Sequence, residues 1–187
     1  MKIGVISDTH GIVPAWEKAM AAFSGAEMIL HAGDVLYHPP RIGFTAGYDI
    51  PGLASLINNS PIPIVIARGN CDCEVYEELL EIPVLSPYAV AEIGGLRLVV
   101  QHGHNLDAED IRRLAGRYRA DVFITGHTHL PVIRRLDAGV HLNPGSPALP
   151  KLERDGKIIP TVGVIEDGVV RVIELETGTE LISERLR

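Results

Sequence analysis

The chain has 187 residues, 46% of them hydrophobic, and a formal net charge of −7. That length suits one domain spanning 1–187 with a full core, and the composition excludes a disordered chain. No apolar run reaches the roughly 18 residues of a spanning helix, and the acidic balance without a Lys/Arg block makes nucleic acid an unfavoured partner.

One Lys precedes the first apolar run, so no signal peptide is expected and a cytoplasmic protein without membrane contact is. Ile3, Val5 and Ile6 make a short buried strand that stops at Asp8-Thr9-His10, before Gly11. A carboxylate and an imidazole two residues apart, just past a strand end, can point at one place and suit a divalent transition metal. Pro14 then opens a helix on which Trp16, Ala19, Met20 and Phe23 fall at helical spacing, with Gly25 as its stop. Met28 to His31 is a second strand, and it ends at Gly33-Asp34. Strand, helix, strand is the pattern of a parallel βαβ unit, with ligand groups at the carboxyl ends of its strands.

From Val35 to Pro51 the chain is rich in Pro, Gly and Tyr. It is expected to be a long ordered loop whose aromatics Tyr37, Phe44 and Tyr48 form a substrate wall, make a subunit contact, or pin the loop to the core. The subunit contact would make the protein a homodimer or homotetramer. A short helix, Pro51 to Asn58, leads to a third strand, Ile62 to Ala67, which runs out at Arg68-Gly69-Asn70-Cys71-Asp72. The two cysteines, Cys71 and Cys73, are spaced wrongly for a zinc knuckle or a redox pair, and a disulfide framework is excluded.

Glu74 to Leu80 is expected to be helical. Tyr88 to Ile93 and Leu96 to Gln101 flank the Gly94-Gly95 hairpin turn, and the second of them ends at His102-Gly103-His104. Asp107 caps a helix with Ile111, Leu114, Ala115 and Tyr118 on one face. Val122 to Thr125 runs into Gly126-His127-Thr128-His129. Hairpin turns are expected at Ala138-Gly139 and Asp167-Gly168, with Asn143-Pro144-Gly145-Ser146 between them. The expected class is α/β: a four-layer sandwich of two mixed β-sheets flanked by helices, with the site at the strand ends.

Five stretches share one grammar, a buried strand, a nearby Gly, then Asp, Asn or His: Asp8-x-His10, Gly33-Asp34, Gly69-Asn70, His102-x-His104 and Gly126-His127-x-His129. Chance is a poor account of five in register with strand ends. The groups exceed the needs of one ion and suit two ions bridged by a carboxylate.

In this order the five stretches resemble the signature of the calcineurin-like metallophosphoesterase superfamily. The resemblance covers about residues 2–147 and is closest to small bacterial YfcE-type phosphodiesterases, whose branch also resembles this chain in Gly33-Asp34-Val35-Leu36, Arg68 to Asp72 and Asn143 to Ser146. It implies that Asp8, His10 and His129 hold one divalent ion, that Asn70, His102 and His127 hold another, and that Asp34 bridges them. It implies a hydroxide nucleophile generated between two ions; imidazole ligands suit Mn, Fe, Co, Ni or Zn better than Mg or Ca, and Mn is the ion expected. The implied substrate is a small-molecule phosphodiester. The alternatives are a phosphomonoesterase or phosphoprotein phosphatase and a non-catalytic scaffold. The scaffold reading is disfavoured because every ligand position is filled.

The remaining candidates have plainer roles beside the sharper ones. His104 either touches the phosphate or orients a ligand. Arg68 is a phosphate fork or a surface ion pair. His31 is a satisfied core histidine, His38 and His141 are exposed or structural, Asp72 orients its neighbours, and Cys73 is a small buried hydrophobe. Many members of the superfamily place a His after the Asn of the third motif as general acid, and this chain has Cys71 there. A thiol lacks the charge of an imidazolium, so Cys71 would serve weakly basic leaving groups adequately and strongly basic alkoxides badly, unless His104 compensates.

Overall fold

The computed structural model describes residues 1–43, 45–84 and 86–186. Phe44 of the long loop therefore lies outside the described residues. In chain order the elements are β1 (Lys2–Ile6), α1 (Val13–Ala22), β2 (Met28–His31), α2 (Ile50–Asn58), β3 (Ile64–Ile66), a 3₁₀ turn (Glu74–Glu78), β4 (Tyr88–Ile93), β5 (Leu96–Gln101), α3 (Ala108–Tyr118), β6 (Val122–Ile124), β7 (Pro131–Leu136), β8 (Gly139–Pro144), β9 (Glu153–Arg154), β10 (Lys157–Ile158), β11 (Thr161–Glu166), β12 (Val169–Glu174) and β13 (Glu180–Arg185). Among the described residues no helix is long and apolar enough to cross a membrane.

Two mixed sheets face each other. The first has the order β13-β12-β11-β1-β2-β3 and the second β4-β5-β6-β8-β7. The strands β1, β2 and β3 are mutually parallel, as are β5, β6 and β8. The alternation of side chains along each strand builds the layers. Ile3, Val5 and Leu30 of the first sheet and Leu98, Val100, Val122, Ile124 and Leu142 of the second share the core between the sheets. Their neighbours point the other way. Ile6 and Ile29 meet Trp16, Ala19 and Phe23 of the α1 segment and Leu53 and Ile57 of α2. Val99 and Phe123 meet Ala115, with Ile111, Leu114 and Tyr118 of α3 packed around them. This is the expected four-layer sandwich.

Helix starts follow their local chemistry. Pro14 lies in the first turn of α1, the Asp49 side chain accepts from Gly52 N at the start of α2, and Asp107 accepts from Glu109 N and Asp110 N in a capping box on α3.

Two expectations need correction. The helix over Glu74 to Leu80 is a 3₁₀ turn, because Tyr76 is drawn into the core, where its hydroxyl accepts from Leu36 N and Tyr37 N. The hairpin before β8 turns on Asp137-Ala138, since Leu136 faces Gly139 in the register. Gly139 is spent on close approach instead: a Cβ there would fall 2.5 Å from Asp121 O. His141 takes the structural one of its two expected roles: it is buried, with Nε2 2.8 Å from Thr125 Oγ1. The long loop is pinned from inside. Tyr37 meets Tyr76 edge-on, Tyr48 meets His38 edge-on, and Asp49 N donates to Gly11 O.

Candidate metal centre

The carboxyl ends of β1, β2, β3, β5 and β6 deliver the expected residues to one place. Asp8, His10, Asp34, His102 and His129 are buried, His127 is half-buried, and Asn70 is exposed at the rim. The backbone reaches this arrangement through an uncommon conformation. Asp8, His10, Asp34, His127 and His129 have φ of 57°, 45°, 58°, 67° and 60°. The left-handed region costs an L-residue roughly 1–2 kcal/mol, and it persists where surrounding bonds over-determine it. Those bonds are present: Asp8 N donates to Gly33 O, His10 N to Asp34 O, and His127 N to Asp8 Oδ2. Gly126 allows the closest approach, since a Cβ there would overlap Ser7 Oγ.

Each carboxylate is held by one oxygen and offers the other. Asp8 Oδ2 accepts from Ser7 Oγ at 2.6 Å and His127 N at 3.0 Å. Asp34 Oδ1 accepts from Cys71 N at 2.8 Å. Three imidazoles are fixed the same way. His10 Nδ1 donates to Tyr37 O, His102 Nδ1 to Ala32 O and His129 Nδ1 to Leu149 O, at 2.7, 2.7 and 2.6 Å. Each ring therefore turns its Nε2 inward, as backbone-held metal ligands do.

The free atoms converge. His129 Nε2 is 3.2 Å from Asp8 Oδ1, His102 Nε2 is 3.3 Å from Asp34 Oδ2 and 3.1 Å from Asn70 Oδ1, and His10 Nε2 is 3.8 Å from Asp34 Oδ2. Asp8 Oδ1 and His10 Nε2 are buried without a hydrogen-bond partner among the described residues. Buried polar atoms normally have partners, and acceptor atoms facing one another at these distances suit a shared cation, whether a proton on an imidazole or a divalent ion. Three groups have ligand atoms mutually within 4.8 Å: Asp8, His10 and His129; His10, Asp34 and Cys71; Asp34, His102 and His127. The donor set fits divalent ions with mixed oxygen and nitrogen ligands.

The electrostatics point the same way. Burial alone would raise the Asp8 carboxyl, but His10 and His129 outweigh it and hold the group well below the carboxylate range. Burial opposes charge on His102, yet Asp34 and Asp8 raise it to about 9. His10 is raised and Asp34 lowered against the same burial. Burial, then the charge of His102, lowers His127 and His104. Burial and the Asp34 carboxylate push the Cys71 thiol up to about 12.

The other candidates divide. His104 is exposed, lies tilted against His102 and edge-on to His127 with ring centroids 5.7 and 6.1 Å away, and makes no hydrogen bond among the described residues. Arg68 donates from Nε to Asp72 O and forms no ion pair among the described residues. Asp72 is buried and accepts from Asp34 N, Val35 N and Gly69 N at 2.9, 2.8 and 2.7 Å. It thus ties the β2 loop to the β3 loop, which is the orienting role expected of it. Cys73 is half-buried against the helix-side core. Sequence reasoning missed Ser7, which anchors Asp8, and it gave no role to Asn143 or Ser146. Asn143 Nδ2 donates to Gly126 O and Thr128 Oγ1, and Ser146 Oγ donates to Asp8 O. The polar pair at the end of β8 was the available signal.

Two histidines near this region are structural and set an acid limit. His31 accepts from Gly33 N at Nδ1 and meets Thr9 Oγ1 at Nε2. Burial pushes His31 down to about 3, and burial with Arg134 pushes His141 down to about 4. Both lie below the ordinary value of 6.5, so the unfolded chain binds more protons between about 4 and 6.5. Their contribution to stability is whole above pH 6.5 and is lost as pH falls. For His141 alone the loss from pH 7 to pH 5 is about 2 kcal/mol. Urea unfolding at the two pH values should show a flatter pH dependence for His141→Gln than for the unaltered protein. Equal slopes would remove His141 from this account.

The domain description "calcineurin-like phosphoesterase superfamily" matches residues 1–166. The chain is 36% identical to phosphodiesterase YfcE of Escherichia coli (strain K12) over 177 residues, 94% of this chain and 92% of that protein. It is 31% identical to phosphodiesterase MJ0936 of Methanocaldococcus jannaschii over 176 residues, 89% and 93% of the two chains. The solved structure of the E. coli phosphoesterase Yfce matches with a TM-score of 0.86 at 32% identity, over the whole of both chains.

Proposed function

The chain belongs to the calcineurin-like phosphoesterase superfamily and is a metallophosphoesterase; from that premise we propose that it hydrolyses small-molecule phosphodiesters at a dinuclear divalent-metal centre. The observation that carries this is the convergence of inward-facing lone pairs, above all the partnerless Asp8 Oδ1 and His10 Nε2. Asp8, His10 and His129 would hold one ion, Asn70, His102 and His127 the other, and Asp34 would serve both, its Oδ2 being the oxygen left open because Oδ1 accepts from Cys71 N. When bound, the ions supply Lewis acidity toward the phosphoryl group and make water acidic enough to be deprotonated near neutral pH. The mixed oxygen and nitrogen set suits Mn, Fe, Co, Ni or Zn better than Mg or Ca; Mn is the ion we propose.

The protein supplies the rest. Backbone carbonyls of Tyr37, Ala32 and Leu149 hold protons on the far nitrogens of three ligand rings, which keeps their near nitrogens as donors of electron pairs. His104, exposed beside His102 and His127, faces the substrate phosphate rather than orienting a ligand. The outer guanidinium nitrogens of Arg68 are available to a phosphate oxygen, because only Nε is used internally. The names of the relatives support diesters as the substrate class.

The test is a panel of diesters and monoesters assayed with metal-stripped protein and each metal added back. Manganese should restore hydrolysis of a nitrophenyl diester above that of any alkyl monoester. Preference for monoesters would support a phosphomonoesterase instead, and protein that neither binds nor responds to divalent metal would end the reading. Position 71 gives a second check. No imidazolium stands there to protonate a basic leaving oxygen, so Cys71→His should gain on alkyl esters by about tenfold or more where that step limits. It should gain little on nitrophenyl diesters, and equal gains on both would sink the argument.

A further inference from the structure

The segment that leaves β2 is gripped on both of its polar edges. Four consecutive N–H groups go to two side chains of the stretch that follows β3. Asp34 N and Val35 N donate to the Asp72 carboxylate, and Leu36 N and Tyr37 N donate to the Tyr76 hydroxyl at 3.1 and 2.5 Å. The carbonyls of the same segment serve the loop after β1. Asp34 O accepts from His10 N, Val35 O from Gly11 N and Thr9 Oγ1, and Tyr37 O from His10 Nδ1 at 2.7 Å. Tyr76 therefore fixes the N–H of the very residue whose carbonyl fixes the His10 ring. Packing alone does not call for a hydroxyl at this position. The ring of Tyr76 is buried in the helix-side core and meets that of Tyr37 edge-on at 5.1 Å, and a phenylalanine would fill the same space. The oxygen has two acceptor sites, and the two N–H groups take them both. From Tyr37 to the start of α2 at Ile50 no helix or strand intervenes among the described residues, so this hydroxyl is where the long loop is made fast beside the centre.

We propose that Tyr76 is a positioning residue for the reaction: its hydroxyl holds Tyr37, and through the Tyr37 carbonyl it keeps the His10 proton on Nδ1 and Nε2 turned inward. The inference rests on the dinuclear reading above and leaves the ligands of that reading as they are. Its effect is one-sided. The rings of His102 and His129 lean on Ala32 O and Leu149 O, which lie outside the segment that Tyr76 grips. Loss of the hydroxyl should therefore loosen the ion that Asp8, His10 and His129 would hold and spare the ion of Asn70, His102 and His127. A direct supporting partner of a metal ligand is typically worth about 10–100-fold in affinity, and Tyr76 acts one residue further out, so an effect of about tenfold is expected.

Tyr76→Phe in the full-length protein tests this, with isotope-labelled histidine, nuclear magnetic resonance and zinc as the probe. In the unaltered zinc-loaded protein the Nδ1–H protons of His10, His102 and His129 should each give a slowly exchanging signal. In Tyr76→Phe the His10 signal should exchange faster while those of His102 and His129 hold, and competition with a chelator should show one of two zinc ions weakened by about tenfold. Equal loosening of all three rings, or of both ions, would reduce Tyr76 to a packing residue and overturn the proposal, as would no change at all. Should the variant fold poorly, hydrogen exchange in the unaltered protein still decides. A Tyr37 amide or a His10 Nδ1–H that exchanges as freely as an exposed group would overturn the proposal. Unaltered protein that takes up no divalent ion would instead remove the dinuclear reading, and with it any role for Tyr76 at an ion.

Discussion

Asp34→Asn is expected to strip both ions from the protein and to lower turnover by more than about 100-fold, the upper range for losing a mere supporting partner of a metal ligand. The reason lies in the division of labour between its oxygens. Oδ1 is anchored by Cys71 N, and Oδ2 stands 3.3 Å from His102 Nε2 and 3.8 Å from His10 Nε2, between the two groups of donors. An amide presents either a neutral oxygen or an N–H to that space. The neutral oxygen forfeits the bridging charge, and the N–H repels a cation. His129→Ala should differ in kind. Its Nε2 meets Asp8 Oδ1 at 3.2 Å, on one side only, so that variant should keep one ion of the pair. Metal analysis of the purified variants decides the matter. Two ions at full occupancy in Asp34→Asn would refute the bridge.

The second large effect is expected at a residue that touches no ion. Asp72→Ala removes the acceptor of three backbone N–H groups, those of Asp34, Val35 and Gly69. Leaving buried donors unsatisfied costs about 1–3 kcal/mol each. Burial pushes the Asp72 carboxyl above the ordinary range against the pull of those donors, so relief of its desolvation offsets part of the loss. A net destabilisation on the order of 3 kcal/mol remains. Asp72→Asn should fall between. An amide oxygen in the place of Oδ2 still accepts from Asp34 N and Gly69 N, but the amide nitrogen confronts Val35 N–H. Because the same carboxylate positions both the Asp34 and Asn70 loops, metal affinity should weaken in the same order, Ala more than Asn. Thermal unfolding and metal titration of both variants measure this. Unchanged affinity in Asp72→Ala would reduce the residue to a structural staple.

The strands that bear the site were legible because burial writes itself into sequence. Met28–His31, Tyr88–Ile93 and Leu96–Gln101 occupy the spans their apolar runs and flanking glycines suggest. The last third was harder. Glu153–Arg154 and Lys157–Ile158 are exposed on both faces, and Glu180–Arg185 is an edge strand with weak alternation, so no apolar run marks them. Within the site, Asp, Asn and His announced themselves through spacing. Their supports did not. Tyr37, Ala32 and Leu149 act through backbone carbonyls, which any residue type supplies. Nor was the left-handed backbone of Asp8, His10, Asp34, His127 and His129 visible, since the nearby glycines are enough to account for sharp turns.

The two sheets contribute different chemistry. The first supplies the oxygen donors Asp8, Asp34 and Asn70 with a single imidazole, His10, while the second supplies His102, His127 and His129. Between them lies a layer of aliphatic side chains including Val5, Leu30, Val100, Ile124 and Leu142. The thickness of that layer is therefore the gauge that sets oxygen against nitrogen. A lineage could retune which metal it accepts without touching a ligand, by trading a methylene in this hidden spacer and letting one sheet settle against the other. Selection on metal supply would then leave its trace among residues that no inspection of the site would single out.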